Sequence, residues 1–400
     1  MTADSEPHTT GDADRTAAPA AAHAPAAGAA SRSAAPRIES IDLARGFAVC
    51  LMIVAHATNG LMPYSDFPGW GQVPVHAITK FSSSLFFIVF GVALAVAFVP
   101  KTSAPDWPRR RNRLLWRGLV VLFWYKLLTV VELWDRGRDG IVDALLYRDF
   151  PSFVEILGFY AITLLWIPWL LPLWAKAPAW VRWSSPLPVI WLWWWLSDNA
   201  GFGGAPQLQA LLVEHPDYYT WGQLARLPLV LMGLLVGGLL LRCKDDPFRR
   251  LLLAAGIAAA GLVLLAWFTV RADDLQATLV AIGGNEGKHP PGLLFSLFSV
   301  GGALASLALC IAGGGLLARA LKPVTVVGSD ALMAFIVHIS VIFLLFRLAL
   351  GYYQAVSYTH ALALSLVLVA ATALWIWLWQ AAMRMLRGTG RTEPAPASTR

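Results

Sequence analysis

Two side chains on the first apolar segment are of types that can do chemistry together. Arg45 and His56 stand eleven residues apart. At about 100° per residue that is three turns plus roughly 20°, so on a helix they share one face, about 16 Å apart along the axis. Asp42, three residues before Arg45, is spaced to pair with it, and Asn59, three after His56, lies on the same side. The result is one polar stripe, Asp42–Arg45–His56–Asn59, on an otherwise apolar helix. A neutral imidazole can take a proton from a hydroxyl near neutral pH. A guanidinium, always charged, can hold a phosphate or a carbonyl. Gly46 leaves room for another helix or a ligand to come close. The bland alternative makes Asp42 and Arg45 an anchor at the helix end and His56 a hydrogen-bonded packing residue. Four polar groups on one stripe weigh against it, because an ionisable group inside a membrane span costs roughly 2.5–3.5 kcal/mol on insertion scales.

The elements that carry this stripe follow from composition. Of 400 residues, 57% are hydrophobic and only 14% charged, against about 25% charged in a soluble domain. So little charge cannot cover several water-facing surfaces. Three cysteines, Cys50, Cys243 and Cys310, all in or beside apolar runs, exclude a disulfide scaffold. Continuous apolar runs rather than short alternating ones exclude an outer-membrane barrel. The sequence therefore predicts an all-α integral membrane protein with about ten transmembrane helices, a multi-pass protein of the cell membrane.

The ten segments run approximately over 42–62, 80–99, 114–133, 153–174, 183–197, 224–241, 250–269, 292–318, 331–351 and 361–386. Pro186 and Pro188 make the fifth the weakest, and the eighth is long and Gly-rich enough to tilt or break. With the N-terminus in the cytoplasm, the inner loops hold fourteen Lys and Arg residues and the outer loops five, or seven with Lys80 and Arg226 at outer helix ends. That bias predicts an even number of spans with both termini cytoplasmic. Trp191, Trp193, Trp194 and Trp195 fall near the outer end of the fifth segment, where indole rings favour the interface. Residues 1–36, rich in Ala and Pro, read as a disordered cytoplasmic tail, 37–387 as the transmembrane domain and 388–400 as a second tail. The net charge of +7 is met by membrane orientation and lipid headgroups, so nucleic acid is not an expected partner.

Further ionisable residues fall inside spans: Lys126, Glu132, Glu155, His338 and Arg347. Lys126 and Glu155 sit at comparable depth and are expected to pair, either as structural glue or to bind a substrate. His338, near the middle of the ninth segment, is either a helix–helix hydrogen bond or a second polar group in the His56 cavity. Lys288 and His289 lie on an outer loop, where the alternatives are a solvated loop and contact with a substrate. The run Arg109, Arg110, Arg111 and Arg113, with Arg117, suits lipid headgroups and could also draw in the phosphates of a nucleotide-bearing ligand. Cys50 is about 120° off the His56 face, and is not expected to be a nucleophile. No zinc spacing or phosphate loop occurs, so no metal is expected.

Arg45, ten intervening residues and His56 resemble the arginine–x10–histidine signature of the transmembrane acyltransferase family 3. The wider string Arg37-Ile-Glu-Ser-Ile-Asp-Leu-Ala-Arg-Gly-Phe-Ala48, followed by Met52-Ile-Val-Ala-His56, is also similar to the opening of the heparan-α-glucosaminide N-acetyltransferase group, a sister set. Phe81–Leu94, Pro151–Tyr160, His289–Leu297 and Ser329–His338 resemble later helices of the same families, over about residues 37–387 in all. The resemblance implies acyl transfer from cytoplasmic acyl-CoA, with acetyl-CoA the expected donor. The acceptor would be a hydroxyl or amine of a cell-envelope glycan, a lipid-linked sugar or a small metabolite, so that O-acetylation is the expected reaction. His56 would act as base or transient acyl carrier, assisted by Arg45 and Asp42. The donor would lie on Arg45 and the Arg109–Arg113 run, and the acceptor near Asn59, Lys126, Glu155, His289 and His338. Membrane lipids are expected partners, and a homodimer is compatible with the sequence.

Two other classes compete. A polytopic transporter or flippase would also use intramembrane charges and Gly/Pro-broken helices, but no internal repeat is evident. A membrane glycosyltransferase would place acidic pairs in the first outer loop, which offers only Asp66.

Overall fold

A computed structural model of the chain describes residues 38–388, apart from Tyr64 and 66–68. The expected N-terminal tail, residues 389–400 of the C-terminal one, and Asp66 lie outside the described residues. Sixteen α-helices, with short connections, make up nearly everything that is described. Nine helical stretches among the described residues are long and apolar enough to cross a membrane. They are α1 (Glu39–Leu61), α2 (Val73–Thr79) continued by α3 (Phe81–Ala97), α4 (Trp107–Glu132), α6 (Glu155–Lys176), α10 (Gln223–Cys243), α11 (Pro247–Arg271), α13 (Leu293–Ala320), α15 (Ala331–Ser340) continued as a π-helix over Val341–Ala349, and α16 (Tyr358–Gly388). Shorter helices connect them: α5 (Gly137–Leu145), α9 (Pro206–Val213), α12 (Leu275–Gly283) and α14 (Lys322–Ser329).

The fifth expected segment needs correction. It forms two pieces, α7 (Ala179–Ser184) and α8 (Pro186–Asn199). The second is only about 21 Å long at 1.5 Å per residue, against a hydrocarbon core of about 30 Å. The prolines interrupt the hydrogen-bond ladder there, yet Ser185 between the pieces keeps helical angles of φ −55° and ψ −30°. The joined pieces still traverse the bundle. Ala179 and Trp183 lie with Val99, Trp174 and Arg242 at one end. At the other, Trp193 Nε1 donates to the Val213 carbonyl (2.8 Å), and Gln207 Nε2 reaches the Arg148 carbonyl (3.4 Å). The described chain thus passes ten times from end to end, nine times as one long helical stretch and once as a broken one. Trp191, Trp194 and Trp195 remain exposed on α8.

Helix starts and breaks follow local chemistry. Asp246 caps α11 by accepting from the Phe248 and Arg249 amides, Asp274 caps α12, and Asp330 caps α15 by accepting from the Met333 amide (3.2 Å). The Gly-rich α13 leaves helical geometry at Gly314, with φ 49° and ψ −139°, a conformation that only glycine adopts without strain.

The centre of the bundle is α1, whose buried residues run its whole length, whereas α11 buries only Ala254, Ile257, Gly261 and Phe268. Between helices in lipid there is little hydrophobic driving force, so close backbone contact through small residues supplies the packing. Gly46 of α1 and Gly328 of α14 meet in this way: a Cβ on either would overlap the other helix's backbone. Gly91 of α3 and Gly233 of α10 repeat the arrangement. Gln380 of α16 donates to Ser329 Oγ (2.7 Å), beside the cavity that holds Arg45. The described chain therefore begins and ends at the same end of the bundle.

Candidate active site

One helix presents the stripe at two levels. At the end where the described chain begins, Arg45 Nη1 donates to Asp42 Oδ1 (3.2 Å) and to the Gly328 carbonyl (3.0 Å). The expected Asp42–Arg45 pair is present, and the Gly46–Gly328 contact brings that carbonyl within reach. Arg45 opens onto a cavity of about 510 Å³ with apolar walls that include Phe86, Phe90, Leu157 and Phe335, and with Arg117, Tyr160, Ser329 and Asp330 among its polar residues. A mostly apolar cavity with two guanidiniums fits a flexible ligand bearing an anionic end.

At the other level, His56 Nδ1 lies 3.1 Å from Nε2 of His338, which is fully buried. His338 Nδ1 in turn lies 2.7 Å from the Ala334 carbonyl. A carbonyl only accepts, so the His338 proton sits on Nδ1 and, in the neutral ring, Nε2 is left as an acceptor. His56 then donates from Nδ1, and its Nε2 carries the free lone pair. Phe153 and Phe335 pack their edges against His56 at ring separations of 5.4 and 6.0 Å. Phe335 also lines the Arg45 cavity, so one ring touches both levels.

His56 and Asn59 line a second cavity of about 220 Å³, together with Lys80, Ser82, Ser83, Ser152, Tyr219, Trp221, Asn285 and Lys288. Asn59 Oδ1 is buried there with no protein partner. Such an acceptor costs stability unless a ligand group donates to it.

Two carboxylates build the walls of this cavity. Glu132 accepts from the amides of Ser152 (2.6 Å), Phe153 (3.1 Å) and Val154 (3.2 Å), which fixes the loop that brings Phe153 to His56. Glu214 accepts from Arg226 Nε (2.7 Å) and Nη2 (3.1 Å) and lies 3.0 Å from His289 Nδ1. Arg226 also donates to the Lys288 carbonyl (2.6 Å), tying the 284–292 loop to the segment that carries Tyr219 and Trp221. Burial pushes Glu214 upward, but Arg226 and His289 outweigh it and hold the carboxyl below its ordinary range. Burial, reinforced by Arg226, lowers Lys288 to about 7. Burial takes His289 down to about 4, despite Glu214 beside it.

Several expectations change. Lys126 and Glu155 form no ion pair among the described contacts. Lys126 donates to the Ala144 carbonyl (3.1 Å) and lies 3.3 Å over the Tyr147 ring, while Glu155 accepts from Tyr125 Oη (2.9 Å). Both sit at Tyr125, whose ring lies 5.0 Å from Lys126 Nζ, so equal depth brings them near each other but not into an ion pair. Glu155 and Lys126 line neither cavity. His289 is not solvated but buried behind the wall, packed on Tyr219 and Trp221. Lys288, its neighbour, is the residue that reaches the cavity. Arg109, Arg110, Arg111 and Arg113 do not line the Arg45 cavity: Arg110 pairs with Asp106 (2.6 Å) and Arg111 lies 5.6 Å over Trp169. Arg117 takes their place there. His338 joins His56 directly. Lys80, counted in the sequence only for its charge at a helix end, and Tyr219 and Trp221, not singled out at all, are the cavity residues that spacing did not reveal. No group of His, Cys, Asp and Glu among the described residues is arranged to hold a metal ion.

Comparison with known proteins agrees with this geometry. A search of curated proteins finds no match. Residues 38–380 match the family model described as an acyltransferase domain, a stretch that holds both cavities and the two histidines. The chain belongs to the membrane acyltransferase family 3, and is an acyltransferase.

Proposed function

We propose that the protein moves an acyl group, acetyl in the simplest case, from cytoplasmic acyl-CoA to a hydroxyl or amine of an acceptor that enters from the opposite face of the membrane. A cell-envelope glycan, a lipid-linked sugar or a small metabolite would suit. The observation that carries this reading is the His56–His338 pair, with His56 lining the cavity that holds an unpartnered acceptor and touching Phe335, which lines the cavity with guanidiniums. The donor's arm lies in the Arg45 cavity, with Arg45 and Arg117 facing its anionic groups. The thioester carbonyl then meets the acceptor near His56. The acceptor oxygen attacks that carbonyl as its proton passes to His56 Nε2, and the new C–O bond replaces the C–S bond. The departing thiolate takes the proton back from His56, so the ring ends neutral. Asn59 Oδ1 accepts a hydrogen bond from the acceptor and orients it. General-base assistance of this kind contributes typically about 10²–10⁴-fold. Transient acylation of His56 is the variant mechanism, and it would give ping-pong kinetics. The N-terminus is taken to be cytoplasmic, as the charge bias requires.

The test uses the full-length protein in nanodiscs with acetyl-CoA. Free thiol is measured with and without a panel of hydroxylated acceptors. Acceptor-dependent thiol release that falls at least 100-fold in His56→Ala supports the reading, and full activity in that variant overturns it.

A further inference from the structure

Lys80 and Lys288 reach the His56 cavity from different elements, Lys80 from the α2–α3 junction and Lys288 from the loop before α13. Lys80 is buried, with 4% of its surface exposed. Its ammonium donates to Asn285 Oδ1 (2.7 Å), and that of Lys288 donates to Tyr219 Oη. Lys288 also lies over the Tyr219 and Trp221 rings at 5.1 and 5.2 Å. All these partners are neutral. Both ammonium groups line the same cavity of about 220 Å³. No Asp or Glu is among the described residues that line the cavity. Of the buried acids nearby, Glu214 is committed to Arg226 and His289, Glu132 to three backbone amides, and Glu155 to Tyr125, while Glu286 of the same loop is exposed and outside the lining. Two cations held together in a small space without an anion are costly, and the cost is removed by an anionic group that both can contact.

We propose that the acceptor is itself an anion, a hydroxylated compound whose carboxylate or phosphate lies between Lys80 and Lys288 while its hydroxyl meets His56. The proposal rests on the acyl-transfer reading for the role of His56, but the anion site stands on the lysines alone. Charge-assisted hydrogen bonds from two ammoniums fix one end of the molecule, and Asn59 takes a hydrogen bond from the other. The cavity, at about 220 Å³, is smaller than the roughly 300–1,000 Å³ of a drug-sized site. It therefore admits one ring-sized anionic unit, not a run of several.

The experiment compares three probes of one ring type: methyl glucoside, glucuronate and glucose 6-phosphate. Binding to the nanodisc-held protein is measured by calorimetry without donor, and acetyl-CoA thiol release is measured separately. At least one anionic probe is expected to bind ten-fold or more tighter than methyl glucoside, and the stronger of the two identifies carboxylate or phosphate. Lys80→Gln with Lys288→Gln is expected to abolish the preference, and Lys80→Arg with Lys288→Arg to keep most of it. Equal binding of charged and neutral probes, no binding of either anion at millimolar concentration, or a preference that survives the double glutamine variant overturns the proposal. Because wild-type protein alone decides the first two outcomes, misfolding of a variant does not obscure them. Anion binding without thiol release from any probe would count against the acyl-transfer reading and leave the anion site standing.

Discussion

Replacing His338 tests the arrangement of the two imidazoles most directly. The ring is fully buried and touches the proposed base through a single 3.1 Å contact. Leucine in its place removes the acceptor for the His56 Nδ1 proton, and the flanking Phe153 and Phe335 rings offer none. A buried donor left without a partner costs about 1–3 kcal/mol. His56 escapes that cost by turning or by moving its proton to Nε2, and either change removes the lone pair from the acceptor. At 1.36 kcal/mol per decade, kcat in His338→Leu should fall about 5- to 150-fold. KM for acetyl-CoA should hardly move, since the Arg45 cavity is untouched. Glutamine at 338 offers a carbonyl oxygen at similar reach and should restore most of the rate. The assay is steady-state thiol release, joined to ¹⁵N spectra of histidine-labelled protein in bilayers, with the His56 signal assigned by its loss in His56→Ala. Those spectra should report a proton on Nδ1 of both rings. Undiminished kcat in His338→Leu, no rescue by glutamine, or an Nε2–H form of His56 in the wild type would refute the reasoning.

Other outcomes follow from the same geometry. Arg45→Ala should raise KM for acetyl-CoA by about tenfold or more, the worth of roughly 1.4 kcal/mol of a lost charge-assisted contact, while acceptor KM changes little; equal effects on both substrates would contradict the order of the cavities. Glu214→Gln leaves the Arg226 guanidinium buried without the one counter-charge described for it, and breaking such a pair costs about 3–5 kcal/mol, so thermal unfolding in detergent should shift clearly downward and acceptor KM should rise. Binding of an anionic probe should weaken as pH climbs through about 7, where Lys288 gives up its proton. The sign follows because only the protonated amine attracts the anion, and the bound anion in turn favours that form. Of the groups facing Lys288 besides the Arg226 guanidinium, Glu214 and His289 titrate well below this window. Lys288→Gln should flatten the dependence measured by calorimetry, which also controls for Lys80 and His56 in the same cavity.

The stripe on α1 was legible in the sequence because one helix alone fixes the relation of residues eleven apart. The number of passes was legible too, since charge bias counts crossings without regard to how well each helix forms, and the broken α7–α8 segment keeps its place in that count. Partnerships across the bundle were not. His56 and His338 are separated by 282 positions, and their meeting depends on how α1 and α15 are rotated about their own axes. Lys126 and Glu155 come to the same tyrosine, Tyr125, yet each takes a nearer partner, the Ala144 carbonyl and the Tyr125 hydroxyl, in place of the ion pair that depth alone suggested. Lys80 read as an orientation charge and His289 as a possible acceptor contact on a loop, because nothing in their immediate neighbours announces the fold of the 284–292 loop around Glu214.

The backbone-to-backbone seam between Gly46 and Gly328 has a consequence for the chemistry ten residues further along α1. Where no side chain intervenes, there is no cushion to absorb an error. One extra methyl at either position would act as a wedge, tilting the whole rod that bears Arg45 and His56 rather than denting it locally. A displacement of about 1 Å at reacting atoms can cost about 10²-fold in rate, so the turnover of this enzyme depends on an absence of atoms far from the bond that is made.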